Sequence, residues 1–369
     1  MKRILFLIHD LGQGGAEKVL VNLVNHLNRT VFDVYIKVLF GGGVNEQFLN
    51  SDVHLSGVFS RNIPANSKWM KMFTPKQLHK MYIKEQYDIE VSYLEGPCAR
   101  IISGCTNKNT KLVSWIHTKY IKENDIYNSF RSRREALDCY NRFDFIACVS
   151  EDVRSTFCDF IGFTKPNGVL YNTIESEKIK IMSNDNIGIE ISNDTFNIIA
   201  VGSLKHVKRF DRLLNIAKRL KAEGYRVHTY ILGTGPLKGD LARFVDTNNL
   251  NDSVTLLGYD TNPYKYLSKC DLFVCSSQTE GFSTAATEAL IVGTPVCTTG
   301  VSGMKELLGE NNNYGLITEN NEDALYSGIK KILDNPDTLA RYKEKAKERG
   351  IIFSTEHTVR KVENMLLGL

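Results

Sequence analysis

Nowhere in the 369 residues is there a run of the roughly 18 uninterrupted apolar residues that a membrane-spanning helix needs, so any membrane contact is expected to be peripheral. A secretory signal core is also missing. Met1-Lys2-Arg3 and Ile4–Ile8 begin like one, but Asp10 and the glycines after it break the run, which reads better as a buried strand. The eight cysteines, Cys98, Cys105, Cys139, Cys148, Cys158, Cys270, Cys275 and Cys297, contain no Cys-x-x-Cys pair and have no histidine at zinc spacing. They are expected to be reduced core residues, which with the missing signal points to a cytoplasmic chain. Charge of one sign is scarce too: 46 basic against 42 acidic residues leave a net +4, too small to indicate nucleic acid as a partner. No internal repeat and no low-complexity tract is visible, which excludes solenoids and disordered tails.

What is present is a globular composition, 42% hydrophobic and 24% charged, on a chain long enough for two cores. Short aliphatic runs alternate with amphipathic helical patterns, the signature of parallel sheets covered by helices, so the fold class is α/β. In the first half the expected strands are Ile4–Ile8, Val34–Phe40, Ile89–Tyr93, Leu112–Ile116 and Phe145–Val149. Between the first two, Val19, Leu20, Leu23, Val24 and Leu27 share one helical face. Residues 176–194 are polar and turn-rich and read as a break between the halves. The pattern then restarts with strands Phe196–Val201, Val227–Leu232, Val254–Leu257, Leu272–Cys275 and Val296–Thr298, a second doubly wound sheet. The expected division is 1–175, 176–352, and a C-terminal helix over 353–369 whose apolar face docks on one of the two domains, crossing back to the first being one option.

Three glycine turns follow expected strands. Gly12-Gln13-Gly14-Gly15-Ala16-Glu17 opens a helix whose backbone N–H groups could approach a phosphate. A dinucleotide fingerprint would need a third glycine where Glu17 stands and an acidic residue near the end of the second strand, and neither is there. Gly202-Ser203-Leu204 leads to Lys208, a cation placed to reach a phosphate, and Leu232-Gly233-Thr234-Gly235-Pro236 turns after the next strand. The richest stretch is Thr279-Glu280-Gly281-Phe282-Ser283-Thr284-Ala285-Ala286-Thr287-Glu288. A helix starting near Ser283 or Thr284 offers free N–H groups to a diphosphate, flanked by carboxylates that suit vicinal hydroxyls. Each turn taken alone is also what any tight α/β connection requires. In the first half, Trp115-Ile116-His117 places His117 at the carboxyl edge of a strand.

From Asn197 to Gly309 the chain resembles the retaining nucleotide-sugar transferases of glycosyltransferase family 4, which have the GT-B architecture. The resemblance rests on Val201-Gly202-Ser203-Leu204 with Lys208, Gly233-Thr234-Gly235-Pro236, and Gly258-Tyr259 with Asn262-Pro263-Tyr264. It continues through Glu280-Gly281-Phe282-Ser283, Glu288-Ala289 and Gly293-Thr294-Pro295. The first half matches more loosely through Gly14-Gly15-Ala16-Glu17, Trp115-Ile116-His117, Val149-Ser150-Glu151 and Tyr171-Asn172. It implies two Rossmann-like domains facing each other across a cleft, the first for the acceptor and the second for the nucleotide sugar. His117, Glu280 and Lys208 would be catalytic. Gly14, Gly15, Asn172, Ser203, Gly233, Tyr259, Gly281, Phe282, Ser283, Thr284 and Glu288 would bind substrate, with Glu288 on the ribose and His117 beside the donor sugar. Two positions depart from the pattern: Ser203 stands where the family often has arginine, and Arg209 where many relatives have glycine.

The implied reaction moves a hexose or N-acetylhexosamine, from a UDP-sugar by preference, to a hydroxyl of a glycan or lipid-linked acceptor in surface polysaccharide biosynthesis. The chain contains no Asp-x-Asp triplet, so neither a metal nor a cofactor is expected. An epimerase of the same architecture and a silent nucleotide-sugar-binding module are the competing readings. A local charge excess adds one partner. Arg61 to Arg142 carries fifteen basic against eight acidic residues, and Lys68, Lys71, Lys76, Lys80 and Lys84 recur around Trp69, Met70, Met72, Phe73 and Met81. That mixture suits peripheral docking on an anionic membrane surface, while a solvated lysine face over core aromatics is the plainer alternative.

Overall fold

The computed structural model describes residues 1–59 and 69–369. These fall into two compact units, 1–173 with 356–369, and 174–355. The first is built on seven parallel strands: β1 (Lys2–Ile8), β2 (Phe32–Phe40), β3 (His54–Phe59), β4 (Ile89–Ser92), β5 (Lys111–Ile116), β6 (Phe145–Cys148) and β7 (Asn167–Val169). Their order is β3-β2-β1-β4-β5-β6-β7. The second has six, β8 (Phe196–Val201), β9 (Val227–Leu232), β10 (Val254–Gly258), β11 (Leu272–Cys275), β12 (Val296–Thr299) and β13 (Leu316–Thr318), in the order β10-β9-β8-β11-β12-β13. In both sheets the order reverses beside the first strand, between β1 and β4 and between β8 and β11. Loops leaving the carboxyl ends of those pairs diverge to opposite faces, which opens a crevice for ligands.

The central strands are continuous apolar runs because helices cover both faces of each sheet. Ile4 to Ile8 are fully buried, and the helix Gly15–His26 lays Val19, Leu20, Leu23 and Val24 into the same core. In the second unit Ile198, Ala200, Leu213, Leu214, Ile231 and Leu272 form the corresponding cluster. Burial of this kind, at about 25 cal/mol per Å² of apolar surface, is the main stabilising term.

Three strands escape the sequence pattern. β3 lies at the sheet edge with His54 to Gly57 exposed, so it shows no apolar alternation, and β7 and β13 have three residues each. The expected break over 176–194 begins instead as a helix, Ser176–Met182, because Ile179 is buried. Asn262 Nδ2 donates to Met182 O at 2.9 Å and to Asp185 Oδ2 at 2.8 Å, which ties this polar segment to the second unit. The last helix, Thr355–Leu367, buries Val359, Val362 and Leu366, and its Glu363 Oε1 accepts from the Asn28 N–H at 2.7 Å. Among the described residues no helix is long and apolar enough to cross a membrane.

Candidate active site

In the second unit the turns after β8 and β9 lie backbone to backbone. The Leu204 N–H donates to Thr234 O at 2.9 Å, the Leu237 N–H returns to Leu204 O at 3.1 Å, and the Gly233 N–H reaches Gly258 O at 2.7 Å. Gly233 has φ +152, and any side chain there would run into Gly202 O, so the two turns approach this closely only through glycine. A short 3₁₀ turn, His206–Lys208, follows. Arg209 then takes φ +50, a left-handed conformation that costs a non-glycine residue about 1 kcal/mol. This accounts physically for a glycine being the easier residue at that position. The Arg209 guanidinium is held by Asp211, Nη2 to Oδ2 at 2.8 Å.

The turn is fixed to the loop after β11. The Gln278 N–H donates to Val207 O at 2.8 Å and Ser276 Oγ donates to Lys208 O at 2.9 Å. From below, buried Arg212 donates to Asn320 Oδ1 at 2.7 Å, and Asn320 Nδ2 donates to Gln278 O at 2.9 Å. So supported, Lys208 Nζ meets Glu280 Oε1 at 2.6 Å. Ser277 Oγ donates to the same oxygen at 2.6 Å, and Cys275 Sγ lies 3.9 Å from it. Burial opposes the Lys208 charge, but the Glu280 carboxylate outweighs it and holds the pKa above that of an ordinary lysine. Burial and then Glu280 push the Cys275 thiol up, so it stays protonated. Among the described residues the hydrogen bonds to Glu280 converge on Oε1, which leaves Oε2 able to accept from a ligand hydroxyl.

Glu280 opens the strand-to-helix turn that feeds the helix Thr284–Val292. Ser283 is its N-cap, with Oγ accepting from the Ala286 N–H at 3.4 Å, so the hydroxyl proton stays available to an anion while the cap orders the helix start. Phe282 is buried against Phe353, ring centroids 5.9 Å apart, and this anchors Gly281 and the turn. One turn and more along the helix, Glu288 is only 4% exposed, and Tyr264 Oη donates to its Oε1 at 3.3 Å. The Glu280 carboxylate, a lysine and a helix N-terminus thus meet where the strand order reverses, and Glu288 follows on the same helix. The arrangement is suited to a diphosphate flanked by two hydroxylated rings.

In the first unit His117 follows β5. Its N–H and that of Thr118 both donate to Glu95 Oε1, at 2.7 and 2.6 Å, so the carboxylate at the end of the β4 loop sets the backbone that aims the imidazole. The ring packs on Tyr93 at 4.8 Å and near Trp115 at 6.3 Å. His117 Nε2 is buried with no hydrogen-bond partner among the described residues. Burial lowers the imidazole pKa to about 3, so the ring is neutral and can exchange a hydrogen bond but carries no charge at neutral pH. Gly14 is the N-cap of the helix Gly15–His26, and a side chain there would run into the Glu17 carboxylate, which overlies this helix start. A phosphate would have to displace that like charge. Asn172 is buried, and next to it Thr173 O accepts from Asn22 Nδ2 at 3.2 Å.

The residues expected in the second unit lie on the turns at the carboxyl ends of the strands and on the helix they feed, and Tyr259, 46% exposed, follows Gly258 of β10, whose carbonyl accepts from the Gly233 N–H. Sequence reasoning missed Ser277, which lies three positions from its partner Glu280; Arg212 and Asn320, whose mutual contact spans a long separation; and Glu95. An acidic residue before Gly96-Pro97 at the carboxyl end of a strand was the available signal for Glu95. Within the expected interfacial segment Met70 is buried, and half-buried Trp69 packs on Phe59 at 6.3 Å and on Phe73 at 5.7 Å. Met72 and Met81 remain, 77% and 43% exposed. Arg61 and Lys68 lie outside the described residues.

Comparison with known proteins agrees with this geometry. Residues 13–178 match the model described as Glycosyltransferase Family 4, and 184–349 the model described as Glycosyl transferases group 1. The chain is 29% identical, over 100% of both chains, to the N-acetylgalactosamine-N,N'-diacetylbacillosaminyl-diphospho-undecaprenol 4-alpha-N-acetylgalactosaminyltransferase of Campylobacter jejuni. Among solved structures, Anabaena HepE in complex with UDP superposes with a TM-score of 0.77 at 18% identity over 100% of both chains. Staphylococcus aureus TarM, solved with UDP, fondaparinux and alpha-GlcNAc-glycerol, gives 0.76 at 17% identity over 99% of both. With both halves matched in order and the strand topology in agreement, the chain belongs to the GT-B glycosyltransferases of the family 4 type.

Proposed function

We propose that this glycosyltransferase moves a hexose or N-acetylhexosamine from a UDP-sugar, with retention, to a hydroxyl of a glycan or lipid-linked glycan used in surface polysaccharide biosynthesis. One observation carries the reading: Lys208 and Glu280 are paired at 2.6 Å at the strand-order reversal, beside the free start of the helix Thr284–Val292. A diphosphate drawn to the ammonium and the helix N–H groups would loosen that pair. Glu280 would then turn to the sugar hydroxyls, with Gly281 and Phe282 shaping the turn around them. Glu288 would hold the ribose. As the sugar–phosphate bond breaks, charge grows on the leaving diphosphate, and fixed donors aimed at it give the largest catalytic gain. With Ser203 in place of arginine and Arg209 held by Asp211, Lys208 would supply most of that stabilisation. His117, neutral, would exchange a hydrogen bond with the sugar. The relative acting on a diphospho-undecaprenol substrate supports a lipid-linked acceptor, and the UDP-bound neighbours support the uridine nucleotide. Exposed Lys76, Lys80 and Lys84 would bring the first unit to the anionic surface where such an acceptor resides.

The test is a panel of nucleotide sugars scored for thermal stabilisation, since a ligand binding only the folded state raises its stability by mass action. Release of nucleotide is then followed with and without lipid-linked acceptors, and with EDTA, magnesium or manganese added. UDP-sugars should stabilise, release should require acceptor, and magnesium or manganese should leave the rate within about twofold. Conversion of the donor sugar without any acceptor would favour the epimerase, binding without turnover the silent module.

A further inference from the structure

We propose that His79, Glu90 and Cys105 of the first unit form a site for one divalent transition-metal ion of the zinc class, which pins the helix Pro75–Tyr82 to the sheet. The three come from separate elements: the helix, the middle of β4, and the chain just after the helix Pro97–Ile102. Their ligand atoms all lie within 4.8 Å of one another, with His79 Nε2 2.8 Å from Glu90 Oε2. Glu90 is 1% and Cys105 2% exposed. The approach is built in, because Gly104 presses against Pro75 O and the His79 Cβ so closely that no other residue would let Cys105 reach the imidazole.

The donor set fits this class of ion. An imidazole nitrogen, a thiolate and a carboxylate suit zinc, whereas magnesium and calcium prefer oxygen alone. A thiolate and a carboxylate also neutralise a 2+ charge, as a buried site requires. With bonds of about 2.0 to 2.3 Å a tetrahedral ion separates its ligands by about 3.3 to 3.7 Å. The His79–Glu90 gap would therefore open slightly and the longer ones close. The backbone carbonyl of Asn107, 3.9 Å from Cys105 Sγ, is within reach of the fourth position. Such an ion lies outside the donor site, and its role is to hold a helix whose outer face bears Lys76 and Lys80.

Full-length protein is loaded with zinc, freed of excess by gel filtration and analysed for metal, and its zinc-edge X-ray absorption is measured. The expected result is about one ion per chain, one sulfur and three nitrogen or oxygen ligands, and a raised thermal midpoint. Cys105→Ser and Glu90→Gln, checked for folding by circular dichroism and a cooperative thermal transition, should each weaken retention at least tenfold. Absence of retained zinc, a shell with no sulfur or several, or equal retention by folded Cys105→Ser would overturn the site in favour of a plain buried ion pair beside a thiol. Because the readout is metal content and coordination, it is independent of whether the transfer reaction is assigned correctly.

Discussion

Lys208 and Glu280 stand 72 residues apart in the chain, yet their charged atoms lie 2.6 Å from each other, with side chains only 26% and 11% exposed. Each neutralises the other, so neither carries the electrostatic penalty of an unpaired buried charge.

Replacing Lys208 should separate this pairing from its proposed role in catalysis. Lys208→Met removes the cation and keeps the apolar stem, and it should lower kcat by about 10² to 10³, the usual loss when one stabiliser of a leaving anion is removed. It should also destabilise the fold, since Glu280 is left with Ser277 as its donor. Adding Glu280→Gln should recover stability without recovering turnover. Thermal midpoints and single-turnover rates on the two variants check this. A Lys208→Met enzyme with the kcat of the original would remove the lysine from the mechanism.

Glu288 makes a different prediction because it sits on the helix and not on the loop. Glu288→Gln keeps the shape and the contact with Tyr264, 3.3 Å away, but an amide accepts weaker hydrogen bonds from ribose hydroxyls than a carboxylate does. Calorimetry should show UDP bound about tenfold more weakly, a change of roughly 1.4 kcal/mol. Undiminished affinity in the folded variant would place the ribose elsewhere.

His117 links the site to pH. Its folded pKa of about 3 lies below the value of about 6.5 expected in the unfolded chain. Above pH 6.5 both states leave it neutral, and its contribution to stability is fully present. As pH falls from 6.5 towards 3 the unfolded chain takes up a proton that the folded one refuses, so stability declines. His117→Gln should flatten that decline in denaturant midpoints measured between pH 7 and 4, the difference between the two proteins isolating this residue from the carboxylates. His117→Ala should at the same time abolish transfer while UDP affinity stays within a few-fold, and kcat should show no histidine limb near pH 6.5.

The parts of this protein legible in the sequence are those with local causes. β8 and β9 run into Gly202 and Gly233 and β11 is flanked by Asp271 and Ser276, so their apolar runs end where the strands end. β3 carries His54, Ser56 and Gly57 on an open edge, and nothing in its composition separates it from a loop. The same divide runs through the site. Glu280, Ser283 and Glu288 belong to one strand-to-helix turn, and helix-start chemistry alone relates them. Ser277, three positions before Glu280, is a local partner too, whereas the Arg212–Asn320 pair holds this loop against the turn at Lys208 through a relation spanning more than a hundred positions that spacing cannot show. The cluster of His79, Glu90 and Cys105 is invisible for the same reason, its members having no metal-like spacing until β4 and two helices bring them together.

The exposed cations of the first unit yield the last prediction. With Met70 buried and Trp69 and Phe73 half-buried against each other, the exposed apolar part of the segment is Met72 and Met81, while Lys76, Lys80 and Lys84 remain exposed. Charge should then outweigh insertion, at about 1 kcal/mol for each lysine near an anionic surface. Cosedimentation with liposomes should need anionic lipid and fall steeply as salt rises, because screening removes the attraction beyond about 10 Å at 0.1 M. Reversing the charge at Lys76, Lys80 and Lys84 together should weaken vesicle binding at least tenfold, whereas Met72→Ala should weaken it about two- to threefold. Soluble-acceptor turnover should be unchanged in both, so that lost binding is not mistaken for lost folding. Equal recovery with neutral and anionic vesicles, or none with either, would leave these lysines as an ordinary solvated face.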